Sequence, residues 1–130
     1  MNKYRFMVLE DDDIFMELNE KVITRSGFAE ELISFDYVQK GLDHLNNLIN
    51  EGKPLPDIIL LDLRMPVVNG FEFLEKLKSF PQEKIQHLKI HLLTSSLDEN
   101  DISRAYSYPQ VKGFHSKPLS LKKLQDMVKE

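Results

Sequence analysis

The stretch DIILLD, residues 57–62, is the strongest indication of the fold, because four consecutive aliphatic residues stand between two aspartates. An apolar run without polar alternation is typical of a central parallel strand that is covered on both faces. Helices must supply that cover on each side of the sheet. The stretch therefore predicts an α/β domain, and it puts the carboxylate of Asp62 at the end of the central strand.

Strand and helix patterns alternate along the chain on both sides of this run. Short apolar runs predict four further strands, at 5–9, 32–35, 88–94 and 111–116. Apolar residues at helical spacing predict five helices: from 12 to about 26, around 42–49, from 70 to 81, from 96 to about 107, and around 121–128. This alternation favours right-handed crossovers and a parallel sheet with helices on both faces.

Residues that start or stop helices mark several boundaries. Gly27 follows the first helical pattern as a C-terminal stop. SLDE, 96–99, has the Ser-x-x-Glu spacing of a capping box and predicts that Ser96 opens the fourth helix. Asp12 and Asp13 are assigned to the first turn of the first helix, where acids favour the macrodipole and satisfy free N–H groups.

Composition excludes several classes of protein. The 130 residues suit one domain, 1–130, and 42% apolar content suffices for a core. A net charge of −4 argues against non-specific nucleic-acid binding, and the lack of cysteine excludes disulfides and thiolate metal sites. No apolar run suits a membrane span or a signal peptide, so we expect a cytoplasmic protein. The histidines lack metal-ligand spacing and are assigned to structure or surface: His44, His87, His91 and His115.

Polar residues stand where the predicted strands end. Glu10 and Asp11 follow the first strand, Asp62 the third, Thr94 the fourth and Lys117 the fifth. Ligands of doubly wound sheets bind beyond the carboxyl ends of the strands, so these side chains are expected in one pocket.

The chemistry of that pocket points to Mg²⁺ and phosphate. Three ionised carboxylates raise one another's pKa, and a divalent cation with oxygen ligands removes the conflict. Lys117 can offer a point charge to a phosphoryl oxygen, and Thr94 a hydrogen bond. An aspartate held beside both, here Asp62, can act as a nucleophile that forms an acyl phosphate.

Four segments together resemble the receiver domain of two-component response regulators. They are VLEDDD, IILLDLRMPVVNG, HLLTSS and GFHSKP, and they occur in the family's order and at its spacing. The resemblance covers essentially the whole chain. It implies a flavodoxin-like (βα)5 doubly wound parallel sheet with strand order 2-1-3-4-5 and no effector domain.

The resemblance implies a role for each residue of the metal site. Asp62 becomes the phosphoacceptor and a metal ligand. Asp11 becomes a direct Mg²⁺ ligand, Glu10 a ligand through water, and Arg64 a ligand through its backbone carbonyl.

Further roles follow from the same resemblance. Thr94 would bond the phosphoryl group, Lys117 would pair with it, and Phe114 would be the aromatic switch residue. Pro118 would form a cis peptide bond. The range 65–70 matches the turn after the phosphorylated strand, with a glycine at its end to relieve steric demand.

The implied function is phosphorelay signalling by a protein that is not an enzyme. The expected phosphodonor is a phosphohistidine of a sensor histidine kinase or a histidine phosphotransfer protein. Phosphorylation would alter the surface of the fourth helix, fifth strand and fifth helix, which would bind a downstream protein target. Homodimer formation is left open, and neither nucleic acid nor membrane is expected as a partner.

Three other functions fit parts of the pattern. A phosphohydrolase of the haloacid-dehalogenase kind needs a second aspartate two residues after the first, where this chain has Arg64. A receiver-fold module that binds proteins without phosphorylation stays open, and Mg²⁺ titration would distinguish it. A flavodoxin is disfavoured because acids follow the first strand, where a phosphate-binding loop would be needed.

Overall fold

Strands and helices alternate through the chain in a computed structural model, which describes residues 3–65, 69–95 and 98–129. The elements are β1 (Tyr4–Leu9), α1 (Asp13–Ser26), β2 (Ala29–Phe35), α2 (Val38–Glu51), β3 (Ile58–Leu61), α3 (Gly70–Leu77), α4 (Gln82–Ile85), β4 (Lys89–Thr94), α5 (Glu99–Tyr106), β5 (Val111–Ser116) and α6 (Leu121–Val128). The strands form one parallel sheet in the order β2-β1-β3-β4-β5. The predicted flavodoxin-like α/β fold and its strand order are confirmed.

The central strand β3 is buried on both faces, as its unbroken apolar sequence predicts. Ile59 and Leu61 join the core under α2, α3 and α5, whereas Ile58 and Leu60 join the core under α1 and α6. Fully burying a side chain of this size contributes about 1.5–3 kcal/mol. The side chains of β3 therefore contribute to both hydrophobic cores.

The strand order reverses between β1 and β3, because β1 connects outward to β2 and the chain then returns to β3 on the other side of β1. Backbone pairing continues just past the strand ends, where Glu10 N donates to Phe35 O at 3.1 Å and Asp62 N donates to Leu9 O at 3.1 Å. Glu10 and Asp62 therefore leave neighbouring strands at the switch point, where ligands of such sheets bind.

The segment after α3 differs from the sequence prediction, since six helices are present among the described residues and five were expected. Helix α3 ends at Leu77, whereas the prediction carried it to Pro81. Pro81 is instead the N-cap of α4. The Gln82 side-chain amide donates to the Leu77 and Phe80 carbonyls, at 3.0 and 2.8 Å. This side chain satisfies carbonyls that a longer helix would have used.

Helix starts were predicted correctly for α1 and wrongly for α5. Asp12 caps α1, and Gly27 ends it in the left-handed conformation with φ 77°. Helix α5 begins at Glu99 with Asp98 as its N-cap, so the predicted opening at Ser96 is wrong. Ser96 itself lies outside the described residues. The Asp98 side chain accepts hydrogen bonds from the backbone N of Asn100 and Asp101, which satisfies two free N–H groups of the first turn.

The two longest helices, α1 and α2, have 14 residues each. Within the described part of the chain, none of the helices combines the length and the apolar character that a membrane crossing needs.

Candidate functional site

Three carboxylates gather at the carboxyl ends of β1 and β3. One oxygen from each of Glu10, Asp11 and Asp62 lies within 4.8 Å of the other two. Glu10 and Asp62 are buried, with 2% and 4% of their surface exposed, because they leave adjacent central strands. An all-oxygen set of this kind fits a hard divalent cation such as Mg²⁺ or Mn²⁺.

The ammonium of Lys117 lies between the two buried carboxylates. Its Nζ is 2.6 Å from Glu10 Oε1 and 3.0 Å from Asp62 Oδ2, and the side chain is only 7% exposed. The Lys117 backbone N donates to the Thr94 carbonyl at 2.9 Å, which ties the end of β5 to the end of β4. The bond between Lys117 and Pro118 is cis. The backbone hydrogen bond between Lys117 and Thr94 holds the lysine next to the acids.

Burial and charge shift the proton affinities of this pair in a consistent way. Burial raises the pKa of Glu10 to about 7; nearby Asp62 adds to the rise, and hydrogen bonds from Lys117 and the Asp12 backbone oppose it. Burial acts to lower the pKa of Lys117, but hydrogen bonds to Glu10 and Asp62 outweigh this effect and raise the pKa. Lys117 therefore stays charged, and Glu10 is a carboxylate whose ionisation needs positive charge close by.

Both oxygens of the Asp62 carboxylate accept hydrogen bonds. Oδ1 accepts from the Arg64 backbone N at 3.0 Å, and Oδ2 accepts from Lys117 Nζ at 3.0 Å. The Arg64 guanidinium forms an ion pair with Asp101 of α5. Asp62 is thus oriented by one neighbour in sequence and one distant residue.

Gly70 lets the start of α3 approach the end of β3. A Cβ added there would lie 2.7 Å from the Asp62 carbonyl oxygen and 2.9 Å from Leu63 Cα. The steric demand predicted for this turn is therefore present at Gly70. Residues 66–68 of the predicted turn 65–70 lie outside the described residues.

Thr94 and Phe114 occupy the neighbouring strands β4 and β5. Thr94 is fully buried at the end of β4, and its partner in the β5 register is Ser116. Phe114 is half-buried and packs against the larger core. The predicted phosphoryl contacts of Thr94, the switching of Phe114 and the metal contact of the Arg64 carbonyl stay predictions.

Two contributions to the site were missed in the sequence. The Asp12 backbone N donates to Glu10 Oε2 at 3.2 Å, in addition to the predicted cap of α1. The Phe15 ring lies over the ammonium of Lys117, with Nζ 4.4 Å from the ring centroid. Phe15 fits the apolar stripe of α1, so periodicity assigns it to the core; only the approach of β5 reveals the contact.

Comparison with known proteins agrees with this geometry. The chain matches the family model of the response regulator receiver domain over residues 6–129. The probable methanogenesis regulatory protein FilR2 of Methanothrix harundinacea is 32% identical over 124 residues, which cover 95% of this chain and 78% of that protein.

Solved structures of response regulators are also similar to this chain. A two-component response regulator from Cytophaga hutchinsonii has a TM-score of 0.90 at 31% identity, with 98% of this chain and 96% of that chain covered. The Mn²⁺-bound form of response regulator Rcp1 has a TM-score of 0.73 at 28% identity, with 96% and 88% covered. The family model, the sheet order and the acidic cluster agree, and the chain belongs to the receiver domain family of two-component response regulators.

Proposed function

We propose that Asp62 accepts a phosphoryl group from a phosphohistidine of a partner kinase or histidine phosphotransfer protein. The observation that carries the proposal is the setting of the Asp62 carboxylate, whose oxygens accept hydrogen bonds from the Arg64 amide and the Lys117 ammonium. A carboxylate held by fixed donors is oriented before the phosphodonor arrives, which removes part of the entropic cost of the reaction.

The transfer exchanges one bond to phosphorus for another. An Asp62 carboxylate oxygen bonds to phosphorus while the bond from phosphorus to the donor's imidazole nitrogen breaks. The electron pair returns to that nitrogen, which takes up a proton, and the product is an aspartyl phosphate. Lys117 neutralises charge on the phosphoryl oxygens, and the Thr94 hydroxyl donates a hydrogen bond to one of them.

A divalent cation belongs to the same proposal. Asp11 and Asp62 would hold it directly with their carboxylates and Glu10 through water, since these three carboxylates lie together. Arg64 would add its backbone carbonyl. When bound, such a cation neutralises negative charge on the transferring phosphoryl group. The Mn²⁺-bound form of the related Rcp1 supports a divalent cation in a fold of this kind.

The proposed output is a changed protein-binding surface. Phosphorylation adds negative charge at Asp62 and attracts Thr94 and Lys117, which lie at the ends of β4 and β5. Phe114 is half-buried against the larger core near the end of β5 and would repack when those strand ends move. The surface of α5, β5 and α6, which are the predicted fourth helix, fifth strand and fifth helix, would then bind a downstream protein target.

Acetyl phosphate with Mg²⁺ tests the proposal directly. We expect intact-protein mass spectrometry to show one added phosphoryl group on the wild type and none on Asp62→Asn. Asp57→Asn is the matched control, because Asp57 lies at the opposite end of the same strand, where its carboxylate accepts a hydrogen bond from Arg5 N at 2.8 Å. An unchanged wild-type mass, or equal labelling of Asp62→Asn, would contradict the proposal.

A further inference from the structure

The ammonium of Lys117 is enclosed by two carboxylates and one aromatic ring. Glu10 and Asp62 accept its hydrogen bonds, and the ring centroid of Phe15 lies 4.4 Å from Nζ. A cation within about 6 Å of a ring centroid is attracted by the negative face of the ring. The ring also covers an ammonium that is otherwise nearly removed from water, which strengthens the attraction.

Phe15 is held in place by the same acidic run that supplies the carboxylates. Asp12 Oδ1 accepts hydrogen bonds from the backbone N of Ile14 at 2.9 Å and of Phe15 at 3.0 Å. The Asp12 backbone N donates to Glu10 Oε2 at 3.2 Å. The position of the ring is thus linked through one residue to the carboxylate that binds the lysine.

Phe15 is not a core residue of either hydrophobic cluster. Among the described residues, the core that includes α1 takes up Met16, Val22 and Ile23 of that helix but not Phe15. The half-buried Phe15 side chain therefore lies outside both cores and contacts the ammonium of Lys117 at the proposed phosphoryl site.

We propose that Phe15 is a positioning residue that holds the Lys117 ammonium over Asp62 during phosphoryl transfer, a role that rests on the proposed function. A lysine side chain is flexible and loses rotamer freedom when it is held in one place. Its hydrogen bonds are directional and must change when Asp62 becomes an acyl phosphate. The attraction to the ring face depends less on direction, so it persists while the ammonium moves from a carboxylate oxygen to a phosphoryl oxygen.

Ring fluorination separates this electrostatic role from packing. Site-specific incorporation of mono-, di- and trifluorophenylalanine at position 15 weakens the negative ring face while nearly preserving its shape. With acetyl phosphate, where the bond from phosphorus to acetate breaks, we expect the rate of Asp62 labelling to fall stepwise with each fluorine. Phe15→Leu should lower the rate by about threefold to tenfold, the size of a partly desolvated cation–π contact.

Two controls assign the effect to Lys117. The same fluorinated series at Phe80, which packs at the edge of the other core, should leave the rate unchanged. In a Lys117→Ala background, Phe15→Leu should have no further effect on the rate, because the cation is gone. Thermal unfolding of each variant checks that the fold is retained.

The outcomes distinguish this inference from the function on which it rests. If wild-type Asp62 is labelled but the labelling rate does not change across the fluorinated series at position 15, the role of Phe15 is overturned. Phosphoryl acceptance by Asp62 would remain intact. An equal loss from Phe15→Leu with and without Lys117 would also overturn it. Absence of wild-type labelling would overturn both proposals.

Discussion

At the residue scale, two histidines form a pair that sequence spacing does not reveal. His91 Nδ1 and His115 Nε2 lie 3.1 Å apart, and His91 is completely buried on β4. Gly113, opposite His91 in β5, makes room for the pair, because an added Cβ would lie 2.6 Å from both of these nitrogens. Burial, followed by the charges of His115 and Lys89, lowers the pKa of His91 to about 4.

The pH dependence of stability follows from that shift. Because the folded-state pKa of His91 lies below its ordinary value of 6.5, the unfolded chain binds more protons between these values and acid favours unfolding. The contribution is complete above pH 6.5 and is lost as the pH falls toward 4. Between pH 7 and pH 5, His91 should lower the free energy of unfolding by about 2 kcal/mol.

Urea unfolding of wild type and His91→Leu at both pH values measures this contribution as a difference. The comparison is needed because the raised pKa of Glu10 gives a pH dependence of opposite sign, which both proteins share. A variant with the same pH dependence as the wild type would show that His91 does not titrate in this range.

At the element scale, the acidic run after β1 divides into residues of the proposed metal site and residues that start α1. Asp12 caps α1 through two backbone N–H groups, whereas Asp13 is the first residue of the helix and is exposed. The two neighbours therefore offer a matched comparison of a hydrogen-bonding cap with a charge near the helix dipole.

Asp12→Ala should lower the free energy of unfolding by about 1 kcal/mol, and Asp13→Ala by only a few tenths. Asp12→Ala should also slow labelling of Asp62, since the cap holds Phe15. Denaturant unfolding and acetyl phosphate labelling give the two measurements. Equal effects of the two substitutions would contradict the assignment of Asp12 as the cap.

Helix α3 depends on a close backbone approach at its first residue. Gly70→Ala should destabilise the fold by about 1–3 kcal/mol, because the new methyl meets backbone atoms of Asp62 and Leu63 that cannot move aside. Gly41→Ala in α2 is the matched control. Its methyl meets the flexible ends of two side chains, at 2.7 Å from Leu9 Cδ2 and 3.4 Å from Met7 Cε. Chemical denaturation should rank Gly70→Ala well below Gly41→Ala in stability.

At the scale of the whole molecule, the sheet connects the pocket around Asp62 to the proposed output surface. Thr94 ends β4 and Lys117 directly follows β5, while α5 follows β4 and α6 follows β5 in the chain. Arg64 adds a second connection, because its ion pair with Asp101 joins the end of β3 to α5. A charge change at Asp62 would therefore act on β4 and β5, which connect to the α5, β5 and α6 elements of the proposed output surface.

Backbone amide chemical shifts can follow this coupling. With Mg²⁺ and acetyl phosphate, we expect shift changes in the wild type that extend from the pocket along β5 and into α5 and α6. Asp62→Asn under the same conditions should show only the changes caused by Mg²⁺. Changes confined to residues around the pocket in the phosphorylated protein would contradict a switched surface.

The local pattern of the sequence was enough for the alternation of strands and helices and for the polar residues at the strand ends, whereas the strand order was predicted from the family resemblance. Apolar period and run length mark strands and helices directly, and the residue after each strand is visible without a structure. For this reason the sheet and the meeting of Glu10, Asp11, Asp62 and Lys117 were predicted from residue order and family resemblance. The acids and the lysine are strand-end residues, and parallel strands bring such residues to one edge.

Only the tertiary structure decided the contacts between residues that are far apart in the chain. The pairing of His91 with His115 and the ring of Phe15 over Lys117 both depend on geometry that no period encodes. Each arises where one element packs on another. By itself, the sequence determined which residues reach the carboxyl edge of the sheet, because strand ends are local. The contact of Phe15 in α1 with Lys117, just after β5, required the folded structure, because these two residues are far apart in the chain.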